Sequence, residues 1–367
     1  MKKLARLLFL LPFIAGCAQS APSTPTPQPP SQTAPADTAP TPETVQTPTS
    51  APNAFAFEQN HRLGRGVNLG NALEAPKEGE WGVVLEEEFF ARIKEGGFQS
   101  IRVPIRWNAH ALDMPPYTIE PAFFERVDWV LAQAHEQGLN VILNIHHYNE
   151  LIEDPDGHKD RFLAIWRQIA ERYQNEPNSV YFELLNEPHG HFSDSGGWNR
   201  LLAEAIPVVR QSNPSRIIII GPGNWNAFDQ LPRLVLPEDD RNIIVTFHYY
   251  QPFHFTHQGA EWADGSEAWM GTTWTGSARE KEELIRHLDA AAAWAEKNNR
   301  PLFLGEFGAY SKADMESRAR WTAFLARQAE ERGISWAYWE FCAGFGVYDR
   351  QTQDWVAPIY QALIPDV

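Results

Sequence analysis

The chain has 367 residues and a formal net charge of −16, and its first 52 residues differ in composition from the rest. The remaining 315 residues carry 28 basic and 45 acidic side chains, and their net charge of −17 argues against nucleic acid or anionic polymers as partners. That length excludes a small binding module and leaves two ordinary domains or one large barrel.

The first element in chain order is an apolar run, residues 7–14, preceded by three basic residues. It is far shorter than the ~20 residues that a bilayer span needs and has the layout of an export signal. Residues 14–17, Ile-Ala-Gly-Cys, resemble the bacterial lipobox. We therefore predict a signal peptide over residues 1–16 and a lipid-carrying Cys17 that holds an exported lipoprotein at the cell surface or outer membrane. If the lipobox is not used, the protein is secreted.

The second element, residues 17–52, begins with that cysteine and continues as a proline-rich segment. Ten of the 28 prolines and eight threonines fall between Ala18 and Pro52, where no residue is aromatic. Such a segment cannot bury enough apolar surface to offset its ordering entropy, so we predict a solvated linker, partly polyproline II. Once Cys17 carries lipid, Cys342 has no partner in the chain, and we expect a fold without disulfides.

Residues 53–367 alternate short apolar, β-branched runs with longer amphipathic stretches, which predicts one domain of strands and helices. The predicted strands cover residues 66–69, 100–104, 141–145, 180–185, 217–220, 243–248, 302–305 and 335–339. The predicted helices cover residues 86–95, 122–137, 161–173, 198–211, 282–297 and 315–332. Eight strands separated by helices favour a (β/α)8 TIM barrel of the α/β class. An open doubly wound sheet is the alternative, weakened because no strand is followed by Gly-x-Gly-x-x-Gly.

Polar residues end most of the predicted strands, and in such a barrel the carboxyl ends of the strands carry the active site. The residues at these positions include His146, His147, Asn186, Glu187, His248, Tyr250, Glu306 and Trp339, and Arg102 lies near the start of the second predicted strand. A single glutamate at a strand end is usually a helix cap or an ion-pair partner. Unpaired charges in a half-buried cleft destabilise a fold, however, so their convergence indicates chemistry. The long connection between residues 248 and 282 predicts a rim of the binding site.

Two carboxylates with these neighbours fit the cleavage of a glycosidic bond. That reaction needs one group to protonate the leaving oxygen and another to attack the sugar or to activate water. We expect Arg102 and the Tyr250 hydroxyl to keep Glu306 ionised as the nucleophile. We expect Glu187 to be the acid/base and Asn186 to bind the sugar 2-hydroxyl. Retention of configuration would place the two carboxyl groups ~5 to 5.5 Å apart, whereas inversion needs ~6.5 to 9.5 Å.

In their order along the chain these residues resemble the catalytic set of glycoside hydrolase family 5. The surrounding motifs are similar to those of thermostable single-domain endoglucanases of that family: residues 66–76 (GVNLGNALEAP), 144–148 (NIHHY), 186–188 (NEP), 255–262 (FTHQGAEW) and 338–342 (YWEFC). The resemblance covers residues 53–367. It implies a (β/α)8 barrel, anomeric retention, Glu187 as acid/base, Glu306 as nucleophile and a β-1,4-linked polysaccharide as substrate.

The resemblance also implies which side chains bind sugar in the cleft. These are Asn71, Glu74, Arg102, His146, His147, Asn186, His248, Tyr250, His257, Trp262 and Trp339. The tryptophans in loops are further candidates for stacking on sugar faces, namely Trp225, Trp262, Trp269 and Trp274.

Several alternatives stay open. Mannan, glucomannan or mixed-linkage β-glucan is an alternative substrate, because glucan and mannan differ only in the orientation of the 2-hydroxyl. A surface glycan-binding lipoprotein without catalysis is the non-enzyme alternative, against which both glutamates and Arg102 argue. We expect no cofactor and no metal, because the adjacent His146 and His147 point in different directions and make a poor chelate. We expect a monomer whose only membrane contact is the lipid anchor.

Overall fold

The computed structural model describes residues 53–365, which contain a closed barrel of eight parallel strands. The strands are β1 (Arg65–Asn68), β2 (Ser100–Val103), β3 (Asn140–Asn144), β4 (Val180–Glu183), β5 (Ile218–Ile220), β6 (Ile243–His248), β7 (Leu302–Glu306) and β8 (Ser335–Tyr338). Each strand pairs with the next in chain order, and β8 returns to β1 with Tyr338 opposite Val67. The predicted barrel is therefore confirmed, and the open sheet is wrong. The predicted signal peptide, Cys17 and linker lie outside the described residues.

Helices connect the strands. They are α1 (Ala54–Leu63), α2 (Glu87–Glu95), α3 (Pro121–Glu136), α4 (Asn149–Glu153), α5 (Pro155–Arg172), α6 (Gly196–Ser212), α7 (Gly223–Asn226), α8 (Phe253–Thr256), α9 (Ala278–Asn298), α10 (Met315–Glu330) and α11 (Ala357–Leu363). Short 3-10 helices cover Trp107–His110, Gly190–Phe192, Phe228–Arg233 and Ser266–Trp269, and a hairpin of β9 (Tyr348–Asp349) and β10 (Asp354–Trp355) follows β8. Within residues 53–365, none of the helices combines the length and the apolar character that crossing a membrane requires.

Two helices, α5 and α9, begin a full turn or more before the residue that the apolar periodicity predicts. Helix α9 begins at Ala278 because Ser277 and Glu280 form a capping box at its first turn. Helix α5 begins at Pro155 because the Asp154 carboxylate accepts a hydrogen bond from the Gly157 N–H, and proline suits the first helical position. Both first turns are polar, so the spacing of apolar residues does not reveal them.

Helix α1, which the sequence analysis does not predict, closes the amino-terminal end of the barrel. Its residues Ala56 and Leu63 are fully buried in an apolar cluster at this end of the strands. The other members of the cluster are Ile142, Tyr181, Ile217, Ile219, Ile244, Phe303 and Ala337. The Ser100 hydroxyl donates to the Leu63 carbonyl oxygen over 2.7 Å, which fixes the end of the helix. The open end of the barrel is therefore the one at which the strands end.

The main apolar core lies between the strands and the helices that cover them. Burial of this surface is the chief stabilising contribution to a fold of this kind. Its largest fully buried side chains include Trp107, Trp166, Trp198, Trp274, Trp321 and Trp336. Cys342, the cysteine within the described residues, is buried and forms no disulfide.

Candidate active site

The open end of the barrel is organised around Arg102, whose side chain projects from β2 and is fully buried. Its Nη1 donates to Oε1 of Glu306 (2.6 Å) and to Oδ1 of Asn68 (2.9 Å). Its Nη2 donates to Oε1 of Glu183 (2.8 Å) and to Oδ1 of Asn186 (2.7 Å). Burial disfavours the cation, but the carboxylates of Glu183 and Glu306 outweigh burial and raise the pKa of Arg102. One cation thus links β1, β2, β7 and both ends of the segment 183–186.

Glu306 ends β7 and is 4% exposed. One carboxylate oxygen accepts from Arg102, and the other accepts from the Tyr250 hydroxyl over 2.9 Å. Burial raises the pKa of Glu306 above its ordinary value, and the nearby His248 ring and Arg102 guanidinium counteract part of that rise. Burial and the adjacent carboxylate also raise the pKa of Tyr250, so its hydroxyl remains a donor. These two fixed donors hold an ionised carboxylate with its oxygens in defined positions.

Glu187 follows β4 and has a different environment. A quarter of its side chain is exposed, and its Oε1 lies 2.8 Å from Nδ1 of His248. Burial raises the pKa of Glu187 to about 7, although the charge of Arg102 lowers it. Its backbone is in the left-handed region, with φ of 46°, which is uncommon for a residue other than glycine and occurs often at functional sites. Glu187 is thus a carboxyl group that lines the cleft and is suited to carry a proton near neutral pH.

The two carboxyl groups lie close together. Ligand atoms of Glu187, Glu306 and His248 are all within 4.8 Å of one another. Within residues 53–365 this is also the set of acidic, histidine and cysteine side chains spaced to hold a metal ion. The Arg102 cation bonds directly to Glu306, however, which disfavours a second cation there.

Glu183 is a member of the site that the sequence analysis missed. It lies at the end of β4, is fully buried, and binds Arg102 with both carboxylate oxygens. Glu183 lies within the apolar run 180–185 that predicts the strand, whereas the other candidate residues of β4 follow that run. The available signal was the charge itself, because glutamate is almost never fully buried unless it is paired.

A cleft extends to both sides of Glu187. One half is lined by Trp81, Arg106, His146, His147, Asn186, Glu187, His189 and Trp225, among others. The other half is lined by Glu187, Trp225, His248, Tyr250, Phe253, His257, Trp262 and Trp269, among others. The two halves share Glu187 and Trp225. The segment after β6 that the sequence predicted as a rim contributes Phe253, His257, Trp262 and Trp269 to the second half.

The sequence model of the cellulase family, glycosyl hydrolase family 5, matches residues 64–344. This range spans the barrel and includes Arg102, Glu187 and Glu306. The chain belongs to glycosyl hydrolase family 5.

Curated family 5 relatives and solved structures support the assignment. Endoglucanase H of Acetivibrio thermocellus is 36% identical over 327 residues, which is 87% of this chain but only 35% of that protein. This chain therefore spans about a third of that relative's length. Among solved structures, Cel5A of Thermotoga maritima in complex with mannotriose is 52% identical, with a TM-score of 0.83, covering 84% of this chain and 100% of the other. The cellulose synthase subunit Z of Clostridioides difficile is 40% identical with a TM-score of 0.79, covering 82% and 99%.

Most of the sugar-binding residues implied by the family 5 resemblance lie at the open end of the barrel. His146 and His147 line the cleft, and the His146 ring stacks on Trp339 with centroids 5.6 Å apart and planes 10° from parallel. Burial lowers the pKa of His147 and of His257 to about 4, so both rings are neutral near pH 7. Trp225 and Trp262 are 50% and 61% exposed, which suits stacking on sugar rings.

Glu74 and Trp274 are not among the residues that line the cleft. Glu74 is 1% exposed, and its carboxylate accepts hydrogen bonds from the backbone N–H groups of Asn71 and Ala72. We therefore assign Glu74 to holding the loop that presents Asn71, and its direct contact with sugar stays a prediction. Trp274 is 1% exposed and packs in the core, so the expectation that it stacks on sugar is wrong.

Proposed function

We propose that this chain is a retaining endo-β-1,4-glucanase that cuts internal bonds of glucans by double displacement. The observation that carries the proposal is the unequal pair of Glu187 and Glu306. One oxygen of Glu187 lies within 4.8 Å of an oxygen of Glu306, and Glu306 has two fixed donors while Glu187 lines the cleft. Such close oxygens favour the ~5 to 5.5 Å carboxyl separation of retaining glycosidases over the ~6.5 to 9.5 Å of inverting ones, which leaves room for a water molecule.

In the first step, Glu187 donates its proton to the oxygen that leaves with one half of the polysaccharide. An oxygen of Glu306 attacks the anomeric carbon as the glycosidic bond breaks, and a covalent glycosyl ester forms. In the second step, ionised Glu187 takes a proton from water, and that water releases the sugar from Glu306 with the original configuration. Because this sequence uses only two carboxyl groups and water, it requires no cofactor.

Asn186 is oriented for a contact with the sugar next to the bond that is cut. Its Oδ1 accepts from Nη2 of Arg102 over 2.7 Å, so its Nδ2 is the atom left to donate. We assign that donor to the sugar 2-hydroxyl, since a hydrogen bond to this group strengthens in the transition state. The contact would also sense whether the 2-hydroxyl is equatorial, as in glucose, or axial, as in mannose.

The cleft supports action on internal bonds, because it continues on both sides of the acid/base and is lined by exposed aromatic rings. Two of them, Trp81 and Trp262, lie in opposite halves and are 39% and 61% exposed. For mannan the supporting observation is that structures of Thermotoga maritima Cel5A exist with mannotriose and with cellobiose. Hydrolysis of glucomannan or mannan is therefore the second candidate activity.

Initial rates on carboxymethyl cellulose, lichenan, glucomannan and galactomannan, measured side by side, test the substrate. We expect turnover on the first three, and activity confined to galactomannan would contradict the proposal. Proton NMR of the first product formed from a cellooligosaccharide tests the stereochemistry. The β-anomer must appear first, because an initial α-anomer would exclude double displacement.

We propose further that the chain is an exported, monomeric lipoprotein anchored through Cys17. The lipobox-like residues 14–17 and the proline-rich linker support this proposal. Asn53, whose Nδ2 donates to the Asn299 carbonyl oxygen, precedes α1 at the closed end of the barrel, so the chain enters the barrel away from the cleft. Incorporation of labelled palmitate in cells, absent from Cys17→Ser, tests the anchor, and light scattering of the barrel tests the monomer. Wild-type protein that takes up no palmitate would contradict the anchor, and a stable dimer would contradict the monomer.

A further inference from the structure

The segment Gly223–Asn226, between β5 and β6, has an unusual backbone. Three consecutive residues are in the left-handed region: Asn224 (φ 56°), Trp225 (φ 59°) and Asn226 (φ 54°). Such a run destabilises the fold, since each residue with a side chain adds ~1 kcal/mol or more of conformational strain in this region. The segment is held beside the active site, where the Trp225 N–H donates to the Pro188 carbonyl oxygen over 3.1 Å and Ala227 forms a parallel bridge with His248.

The strained segment places the side chain of Asn226 behind His248. Asn226 is fully buried, and its Nδ2 lies 3.4 Å from Nε2 of His248. Its Oδ1 lies against Gly221, where any Cβ would collide with it. Within residues 53–365, Oδ1 has no hydrogen-bond partner, so the amide has one polar contact, and that contact is with the histidine. The buried hydroxyl of Thr246, which like the His248 ring lies next to Gly305, forms no hydrogen bond with that ring.

We propose that Asn226 is a positioning residue that fixes the tautomer of His248. The ring is neutral, because burial lowers its pKa to about 4, and it therefore carries one proton. An amide nitrogen has only hydrogens to offer, so Nε2 must accept from Asn226 and the ring proton must sit on Nδ1. Nδ1 then donates to Oε1 of Glu187 over 2.8 Å.

This tautomer decides which oxygen of Glu187 carries the catalytic proton. With Oε1 accepting from His248, the proton of the acid form resides on Oε2, where it is available to the leaving oxygen. In the opposite tautomer, Nδ1 would accept and hold that proton on Oε1. The charged groups around the ring are Glu187, Glu306 at 3.6 Å, Arg102 and Glu183, and none of them contacts Nε2. This inference rests on the acid/base role proposed for Glu187.

The direct test is 15N NMR of the full-length protein labelled in its histidines, with His248 assigned from the spectrum of His248→Asn. Near pH 7 we expect a protonated, pyrrole-type Nδ1 and an unprotonated, pyridine-type Nε2. A protonated Nε2 would overturn the inference. This readout requires no substrate, so it is separate from the proposed function, which inactivity of wild-type protein on every β-1,4-glycan would overturn.

Asn226→Gly removes the donor without backbone strain, because glycine accepts φ of 54°. We expect the ring proton to be shared between both nitrogens and kcat to fall about tenfold with KM nearly unchanged. We expect the alkaline limb of the pH profile to move upward, because ionised Glu187 loses part of its hydrogen bond. Asn299→Gly is the matched control, an asparagine with φ of 51° at the end of α9, and should leave kcat and the profile unchanged. An Asn226→Gly enzyme with wild-type tautomer, kcat and pH profile would refute the role.

Discussion

The two ends of the barrel use buried side chains in opposite ways. At the closed end, α1 buries Ala56 and Leu63 in an apolar cluster with strand residues, and its buried polar residues, Gln59 and Asn60, are uncharged. At the open end, the fully buried side chains include Arg102 and Glu183, with Glu306 nearly so. Apolar burial stabilises each group independently, whereas buried charges are tolerated only as a paired set.

This difference separates stability from chemistry within one barrel. Apolar groups at the closed end have no protonation state to tune, so substitutions there change the free energy of unfolding alone. At the open end the same burial that destabilises a charge also moves its pKa, as the value of about 7 for Glu187 illustrates. Substitutions at this end should therefore change activity, and in some cases stability as well.

The largest expected effect is that of Glu306→Gln. The amide keeps the size of the side chain but cannot attack the anomeric carbon, so we expect kcat to fall by roughly 10⁴-fold or more. Initial rates on carboxymethyl cellulose measure the loss, and calorimetric titration with cellotetraose should find binding retained. Glu282→Gln, the same change at an exposed position on α9, should have wild-type rates. Activity within about tenfold of wild type would remove Glu306 from its role.

Glu183→Gln is the next largest, because it breaks the pairing at the open end without touching the substrate. It removes the carboxylate that binds Arg102 with both oxygens, so that Glu306 is the one negative charge still bonded to this cation. Loss of one partner of a buried pair costs about 3 to 5 kcal/mol of unfolding free energy. Urea denaturation measures this cost, and kcat should fall in parallel because Arg102 orients Glu306 and Asn186. A loss of less than about 1 kcal/mol in the free energy of unfolding would show that Arg102, Glu183 and Glu306 do not stabilise one another as a set.

The sequence predicts the two ends unequally well. All eight strands follow from apolar, β-branched runs, and the polar residues after them converge because parallel strands end on one face. Helix α1 is not predicted in this way, because the apolar residues of Ala54–Leu63 do not follow a helical period: Phe57 is exposed, whereas Gln59 and Asn60 are buried. The helix is stabilised by tertiary contacts such as that of Ser100 with Leu63. Hydrophobic periodicity cannot detect a helix whose buried face includes Gln59 and Asn60.

At the site itself, the two carboxyl groups proposed to act on sugar follow from the sequence, and the residues that support them do not. Glu187 and Glu306 stand at strand ends in a pattern that one reaction explains. Glu183 lies inside the predicted strand 180–185, although it is the last residue of β4, and Asn226 depends on a left-handed backbone that no spacing of residues reveals. Glu74 lies in a family motif that predicts contact with sugar, and its hydrogen bonds to its own loop, which add a supporting role, are visible only in the structure. Supporting roles depend on side-chain direction, which only the folded chain determines.

Leu63→Ala tests the closed end, with a smaller expected effect confined to stability. Leu63 is fully buried, and its truncation leaves a cavity between α1 and the strands. We expect a loss of about 3 kcal/mol in the free energy of unfolding, measured by urea denaturation. Below the melting temperature, kcat and KM should equal those of wild type, because the cleft lies at the other end. A fall in kcat without a fall in stability would mean that the two ends are coupled.

The smallest expected effect is a pH dependence that belongs to the open end. Glu187 must be protonated to act as an acid, and its pKa is about 7, so kcat/KM should fall about tenfold per pH unit above that value. Two other buried carboxyl groups titrate in the same range, since burial raises the pKa of Glu340 to about 7 and that of Glu74 to about 8. These two groups differ from Glu187 in their partners. Glu340 accepts hydrogen bonds from the backbone N–H groups of Cys342, Ala343 and Phe345, and Glu74 accepts them from the backbone of its own loop.

Glu340→Gln and Glu74→Gln should therefore lower stability but leave the alkaline limb where it is. If either substitution moves the limb while Asn226→Gly does not, the limb belongs to a loop carboxyl group rather than to Glu187. The proton that controls turnover would then belong to Glu340 or Glu74, which hold loops at the open end. The open end would in that case differ from the closed end in the pH dependence of its loop structure, not in acid/base chemistry on the substrate.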